Sequence, residues 1–156
     1  MDMKIKLDPA LSYLIGAWKW VRTKEGIGVR GTPEFVEVFV SRVVKAGLAD
    51  ADKIQLSGDR AYFYHTAYRL FFENTLKRED EAFCHANDYA AAFLAGLFDS
   101  VGKMEDGQVV LSHCDKRDEM VLLRLGYRVV WKEKRAYVLP VDQFLKFIKG
   151  WRAETE

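Results

Sequence analysis

Between Thr32 and Gly47 the apolar residues Phe35, Val36, Phe39, Val40, Val43 and Val44 recur at helical spacing. Thr32-Pro33-Glu34 starts that helix and Gly47 ends it. Upstream, a helix is expected over about 8–18, opened by Asp8-Pro9, a good N-cap and first-turn pair. Short β-like runs follow at Lys19–Lys24 and Ile27–Arg30, turned at Glu25-Gly26. Lys53–Leu56 and Arg60–Thr66 predict a second hairpin around Ser57-Gly58-Asp59, and a helix runs through Tyr68–Leu76.

The second half of the chain repeats this rhythm. A helix at about 88–99 is capped by Asn87 or Asp88, and a hairpin turns at Asp106-Gly107 into Val109-Val110-Leu111. Asp115 caps a helix carrying Met120, Val121, Leu123 and Leu125. Strands follow at Arg128–Lys132 and Arg135–Leu139, and a last helix starts near Pro140 with Phe144, Phe147 and Ile148. Three landmarks tie the halves together in the same order. Leu14-Ile15-Gly16-Ala17-Trp18 lies 80 residues before Leu94-Ala95-Gly96-Leu97-Phe98. Ala46-Gly47-Leu48 precedes Leu125-Gly126-Tyr127 by 79, and Arg60-Ala61-Tyr62 precedes Arg135-Ala136-Tyr137 by 75. The plan is αββαββα twice, an α+β chain with an N-terminal repeat at 1–77, a charged linker at 78–87 and a C-terminal repeat at 88–156.

Composition excludes more than it selects. The chain has 156 residues, 49% of them hydrophobic and 30% charged, which is ordinary for a globular protein of one domain or two fused half-domains. No apolar run reaches the roughly 18 residues that span a bilayer, and the N-terminus lacks a signal-peptide pattern, so the expected compartment is the cytoplasm. Cys84 and Cys114 form no disulfide framework. A net charge of +1 gives no general preference for nucleic acid, so any binding depends on where the charges fall. The dipeptides Cys84-His85 and His113-Cys114 lack zinc-ligand spacing. No phosphate-cradling glycine loop or nucleophile elbow is present.

Phe93–Gly102 reads FLAGLFDSVG and resembles the signature helix of the LAGLIDADG homing-endonuclease family; Leu14–Arg22 is its fainter counterpart. The resemblance implies two pseudo-symmetric αββαββα halves packed through the motif helices in a monomer. Their antiparallel sheets would form a saddle for double-stranded DNA. Gly16 and Ala17 would meet Ala95 and Gly96 at the interface, where small residues let backbones approach. Ala46–Asp52, AGLADAD, is closer in letters to the family name and would supply Asp50 and Asp52 as acids, but it ends the second helix and lies too near its counterpart for a full half.

The family cuts DNA with divalent metals held by one acid from the end of each motif helix. Those letters are Val21 and Val101 here, and valine cannot ligate magnesium. Asp99, two letters earlier and about 200° around the helix, is the fallback acid, with Lys19 as its counterpart. Glu105 and Asp106 lie in the following turn, where a solvated acidic hairpin explains them.

Basic residues on the expected hairpins are Lys19, Arg22, Lys24, Arg30, Lys53, Arg60, Lys103, Arg128, Lys132, Lys134 and Arg135. They would face phosphates or guanine edges. Three readings follow from the resemblance. The first is a nuclease-dead DNA-binding protein with a regulatory role and without a cofactor. The second is a magnesium-dependent endonuclease using Asp99 with Glu105 or Asp106, or the acids at Asp50 and Asp52. The third is a protein-interaction scaffold without DNA binding.

Overall fold

The computed structural model describes residues 4–153. The first half runs α1 (Pro9–Lys19), β1 (Ile27–Arg30), α2 (Pro33–Lys45), β2 (Gln55–Ser57), β3 (Arg60–Phe63) and α3 (Thr66–Lys77). A short helix α4 (Glu79–Ala82) leads into α5 (Asp88–Val101), β4 (Gly102–Glu105), β5 (Gln108–Leu111), α6 (Lys116–Arg124), β6 (Arg128–Lys132), β7 (Arg135–Leu139) and α7 (Val141–Ile148). Both sheets are antiparallel, ordered β1-β3-β2 and β4-β5-β7-β6.

Helices α1 and α5 form the centre. Each is apolar on all sides and buried from Leu11 to Trp18 and from Ala90 to Phe98, the pattern of helices enclosed by other elements. Their starts are fixed by side-chain caps, Asp8 accepting from the Leu11 N–H and Asn87 from the Ala90 N–H. They cross at the paired glycines. A Cβ on Gly16 would fall 2.2 Å from the Phe93 carbonyl oxygen, and one on Gly96 would fall 2.2 Å from the Tyr13 oxygen. Only hydrogen fits on either side, so the two backbones touch.

The sheets pack one face on this core. Ile27, Val29, Ala61 and Phe63 point inward from the first sheet, and Val109, Leu111, Ala136 and Val138 from the second. The strand register also fixes how the halves correspond. Leu56 pairs with Ala61 as Trp131 pairs with Ala136, and Arg30 donates its N–H to the Val21 oxygen as Ser112 does to Val101. Val21 and Val101 therefore occupy equivalent places, each where a central helix meets its own sheet.

Two expectations need correction. Lys19–Lys24 does not form a strand. Helix α1 continues through Lys19, and only Arg22 forms a single bridge, to Val29. The segment between those partners is two residues shorter than the one between Gly102 and Leu111, and with α1 running on through Lys19 only its last residues are left to pair. Lys53 belongs to a 3-10 turn at Ala51–Lys53, and the strand begins only at Gln55. Within the charged linker 78–87, α4 and the residue that follows it place Glu79 and Phe83 at 0% exposure. The AGLADAD stretch passes from the end of α2 through Gly47 into that 3-10 turn, with Asp50 and Asp52 exposed.

Candidate functional site

Strand residues alternate between faces, so those paired with outward neighbours define the outer surface of each sheet. In the first sheet Arg30 lies directly opposite Arg60, which lies opposite Ser57, and Tyr62 lies between Gly28 and Gln55. In the second, Lys132 lies directly opposite Arg135, and Tyr137 lies between Val110 and Val130. The repeated Arg-Ala-Tyr thus sets Arg60 and Tyr62 in the same places as Arg135 and Tyr137. Each half carries two basic side chains facing each other across neighbouring strands. Like charges in that register destabilise a sheet on their own and favour an anion between them.

The expected basic residues separate into three groups. Arg30, Arg60, Lys103, Arg128, Lys132 and Arg135 lie on the outer sheet faces. Lys24 and Lys134 are exposed in the turns beside them. Lys19, Arg22 and Lys53 are elsewhere. Arg22 pairs with inward-facing Val29, and its guanidinium sits 3.9 Å from the centre of the buried Trp18 ring. Lys53 is on the 3-10 turn.

Lys19 is withdrawn into the protein. Its ammonium lies 2.6 Å from Glu79, 2.8 Å from Asp115 and 2.8 Å from Asp118. Trp20 Nε1 also donates to Asp118, which closes a capping box with Asp115 at the start of α6. The three carboxyl groups lie within 4.8 Å of one another, a spacing that suits a metal, but the Lys19 ammonium is at their centre. Burial pushes Glu79 up to about 10, so it is neutral near pH 7 and Lys19 balances Asp118 and Asp115. Opposing charges raise Lys19 despite its burial.

Asp99 is also committed to structure. It accepts from the Tyr13 hydroxyl at 2.6 Å and from the Ala153 N–H at 2.7 Å. Burial raises its carboxyl above the ordinary aspartate range and raises the Tyr13 phenol. Val21 is half-buried and Val101 buried, and neither offers an oxygen ligand from its side chain. The residues at the two motif ends therefore do not fit the metal that the resemblance implies.

Sequence reasoning missed the carboxylates that meet the outer-face arginines. Glu105 receives two hydrogen bonds from Arg135, at 3.2 and 2.5 Å, and an ion pair from Lys103 at 2.9 Å. In the first half Glu25 stands 3.6 Å from Arg60, beyond hydrogen-bond reach. Glu25 follows Arg22 by three residues as Glu105 follows Gly102, and each of those residues pairs at the base of its hairpin. That offset, set beside the repeated Arg-Ala-Tyr, was the available signal.

No family model matches the sequence, and the search of curated proteins returns no match. Solved structures do match. A variant of I-DmoI in complex with its target DNA in the presence of manganese gives a TM-score of 0.62 at 13% identity, covering 90% of this chain and 92% of that one. I-DmoI in complex with DNA and manganese gives 0.58 at 14% identity, covering 95% and 98%. Mesophilic variants of the homing endonuclease I-DmoI give 0.58 at 13% identity with the same coverage. The chain thus has the α+β fold of that homing endonuclease over nearly its whole length.

Proposed function

We propose that this protein binds double-stranded DNA across its two sheets and does not cut it. The observation that carries the reading is the pair of opposed basic side chains on each outer face, Arg30 with Arg60 and Lys132 with Arg135, built on the equivalent Arg60 and Arg135 with a partner from β1 in one half and from β6 in the other. The fold is one that I-DmoI uses in complex with DNA. Lys103 and Arg128 extend the basic surface, while Lys24 and Lys134 flank it in the turns. Phosphate contacts from these groups supply affinity, and Tyr62, Tyr137, Gln55 and Gln108 offer groups for base edges.

The absence of cutting rests on Val21 and Val101. Two-metal hydrolysis of a phosphodiester needs carboxylates where the central helices end, and both letters are apolar. Asp99 is held by Tyr13 and the Ala153 backbone, and Glu105 by Arg135 and Lys103, so the substitute acids already have partners. No resident cofactor is required. Both repeats lie in one chain, 1–77 and 88–156 joined by 78–87, so a monomer suffices. Among the described residues no helix is long and apolar enough to cross a membrane, and the cytoplasm remains the expected compartment. Binding without cleavage suits a regulatory role.

The test is selection of bound duplexes from a random pool, followed by incubation of the winner with magnesium or manganese. Salt-sensitive binding with intact DNA is expected. Cleavage lost in Asp99→Ala would establish the endonuclease reading instead. Failure to bind any duplex at low ionic strength would leave a protein-interaction scaffold.

A further inference from the structure

The two hairpin glutamates are one device built twice and set differently. Arg135 presents Nη1 and Nη2 end-on to the two oxygens of Glu105. That fork is the one that would grip two phosphate oxygens or the O6 and N7 of guanine. Lys103 closes on the same carboxylate. Arg135, then Lys103, holds Glu105 down at about 2, so it is ionised throughout the physiological range. In the first half Arg60 makes only a looser ion pair with Glu25, at 3.6 Å and without a hydrogen bond. Glu25 Oε2 makes no hydrogen bond, and Arg30 faces Arg60 from the neighbouring strand.

We propose that Glu105 is a specificity-determining residue: it occupies the Arg135 fork in the free protein, so the N-terminal sheet engages phosphate first and the C-terminal sheet engages only a duplex that can displace Glu105. This rests on the DNA-binding reading above. The chemistry is an exchange of acceptors. A single phosphate meeting Arg135 must break two charge-assisted hydrogen bonds and then remain close to the released Glu105 charge. It gains little by the exchange. A duplex seated on both sheets brings many contacts at once, and the same exchange becomes a small part of its binding free energy. Glu105 therefore weakens non-specific binding more than specific binding, which is how an unfavourable contact creates selectivity.

Binding of wild type, Glu105→Gln and Glu25→Gln to a random-sequence duplex and to the selected duplex, followed by fluorescence anisotropy across a salt series, tests this. Glu105→Gln is expected to bind the random duplex roughly two- to five-fold tighter, the range set by a surface ion pair. Its log–log salt slope should steepen by about one, because one more phosphate is neutralised. Affinity for the selected duplex should change less, so the specific-to-non-specific ratio falls. Glu25→Gln should leave all three quantities within about two-fold of wild type, because Arg60 makes no hydrogen bond to Glu25 and its fork is not held by it. Adding Arg135→Ala to Glu105→Gln should erase the gain. Unchanged or weaker random-duplex binding by Glu105→Gln, an equal effect of Glu25→Gln, or a gain that survives Arg135→Ala would each overturn the proposal while leaving DNA binding standing. No binding by wild type or any variant would overturn the DNA-binding reading and this proposal together.

Discussion

Gly96→Ala sets helix propensity against backbone contact, and the two effects have opposite signs. Alanine in a helix interior is worth about 1 kcal/mol over glycine. That gain applies only if the new methyl group fits. In α5 it would fall 2.2 Å from the Tyr13 carbonyl oxygen and 2.6 Å from the Ala17 nitrogen, whereas real Cβ contacts stay beyond 3.0 Å. Helix α1 must therefore move by most of an ångström. The struck atoms are backbone, so no side chain can rotate away, and α1 and α5 are buried along most of their lengths. Overpacking a tight core typically costs about 1–3 kcal/mol, and contact with fixed backbone puts this site at the upper end. The expected net loss is about 2 kcal/mol, or roughly 4–8 °C in Tm for a chain of this size. Urea unfolding followed by circular dichroism measures it. Gly16→Ala, which would strike the Phe93 oxygen, should behave alike, and the double variant should lose less than the sum because one separation admits both methyl groups. A midpoint at or above wild type for Gly96→Ala would refute the close crossing.

Lys19→Met should cost about 3–5 kcal/mol, read from urea midpoints, because it strands the fully buried Asp118 carboxylate without a cation and removes a hydrogen-bond donor to buried Glu79. Glu79 is raised from its ordinary range to about 10, so its contribution is complete below the unfolded pKa and declines as pH rises toward about 10. Glu79→Gln should flatten that part of the stability–pH curve, which urea titrations at stepped pH will show. Asp99→Ala removes the acceptor for Tyr13 and Ala153 and should expose the C-terminal segment to faster trypsin cleavage, measured by mass spectrometry, with a loss of about 1–3 kcal/mol.

The parts of the fold legible in the sequence were those governed by local chemistry. Helix α2 could be read from apolar spacing, its Thr32 cap and Gly47, and the second-half hairpins from Asp106-Gly107 and the β-branched run at Val129-Val130. The repeated Arg-Ala-Tyr located both central outer strands. What could not be read depended on distant partners. Lys19 resembles the start of a basic strand until Glu79 and Asp118, 60 and 99 residues away, draw it inward and extend α1. Glu105 resembles a solvated turn residue because Arg135 is 30 residues on and reaches it only when the sheet forms. Local pattern carries no information about such pairs, since the same letters suit water equally well.

Lys19 and Asp99 show how the two repeats can carry opposite charges at one position without loss of the fold. Lys19 and Asp99 carry opposite charges at equivalent positions, yet each ties the same two kinds of segment together. Lys19 holds α4, which follows the first half, and the start of α6 in the second half. Asp99 holds the Ala153 backbone after α7, and Tyr13, whose ring is covered by Arg42 of α2 at 3.8 Å. Arg42 also donates to the Trp151 oxygen, so the second anchor reaches the other half's second helix as the first does. A position that serves as an anchor tolerates reversal of charge if its partners reverse too, and Glu79, Asp115 and Asp118 supply that reversal. The eighth letters have no such freedom in a nuclease, because a metal accepts only oxygen donors there. Both are valine. Anchors, glycine crossing and opposed basic pairs are the features that hold two sheets in a fixed relation, which duplex binding needs, while the carboxylates that hydrolysis would add are the ones missing from the motif ends.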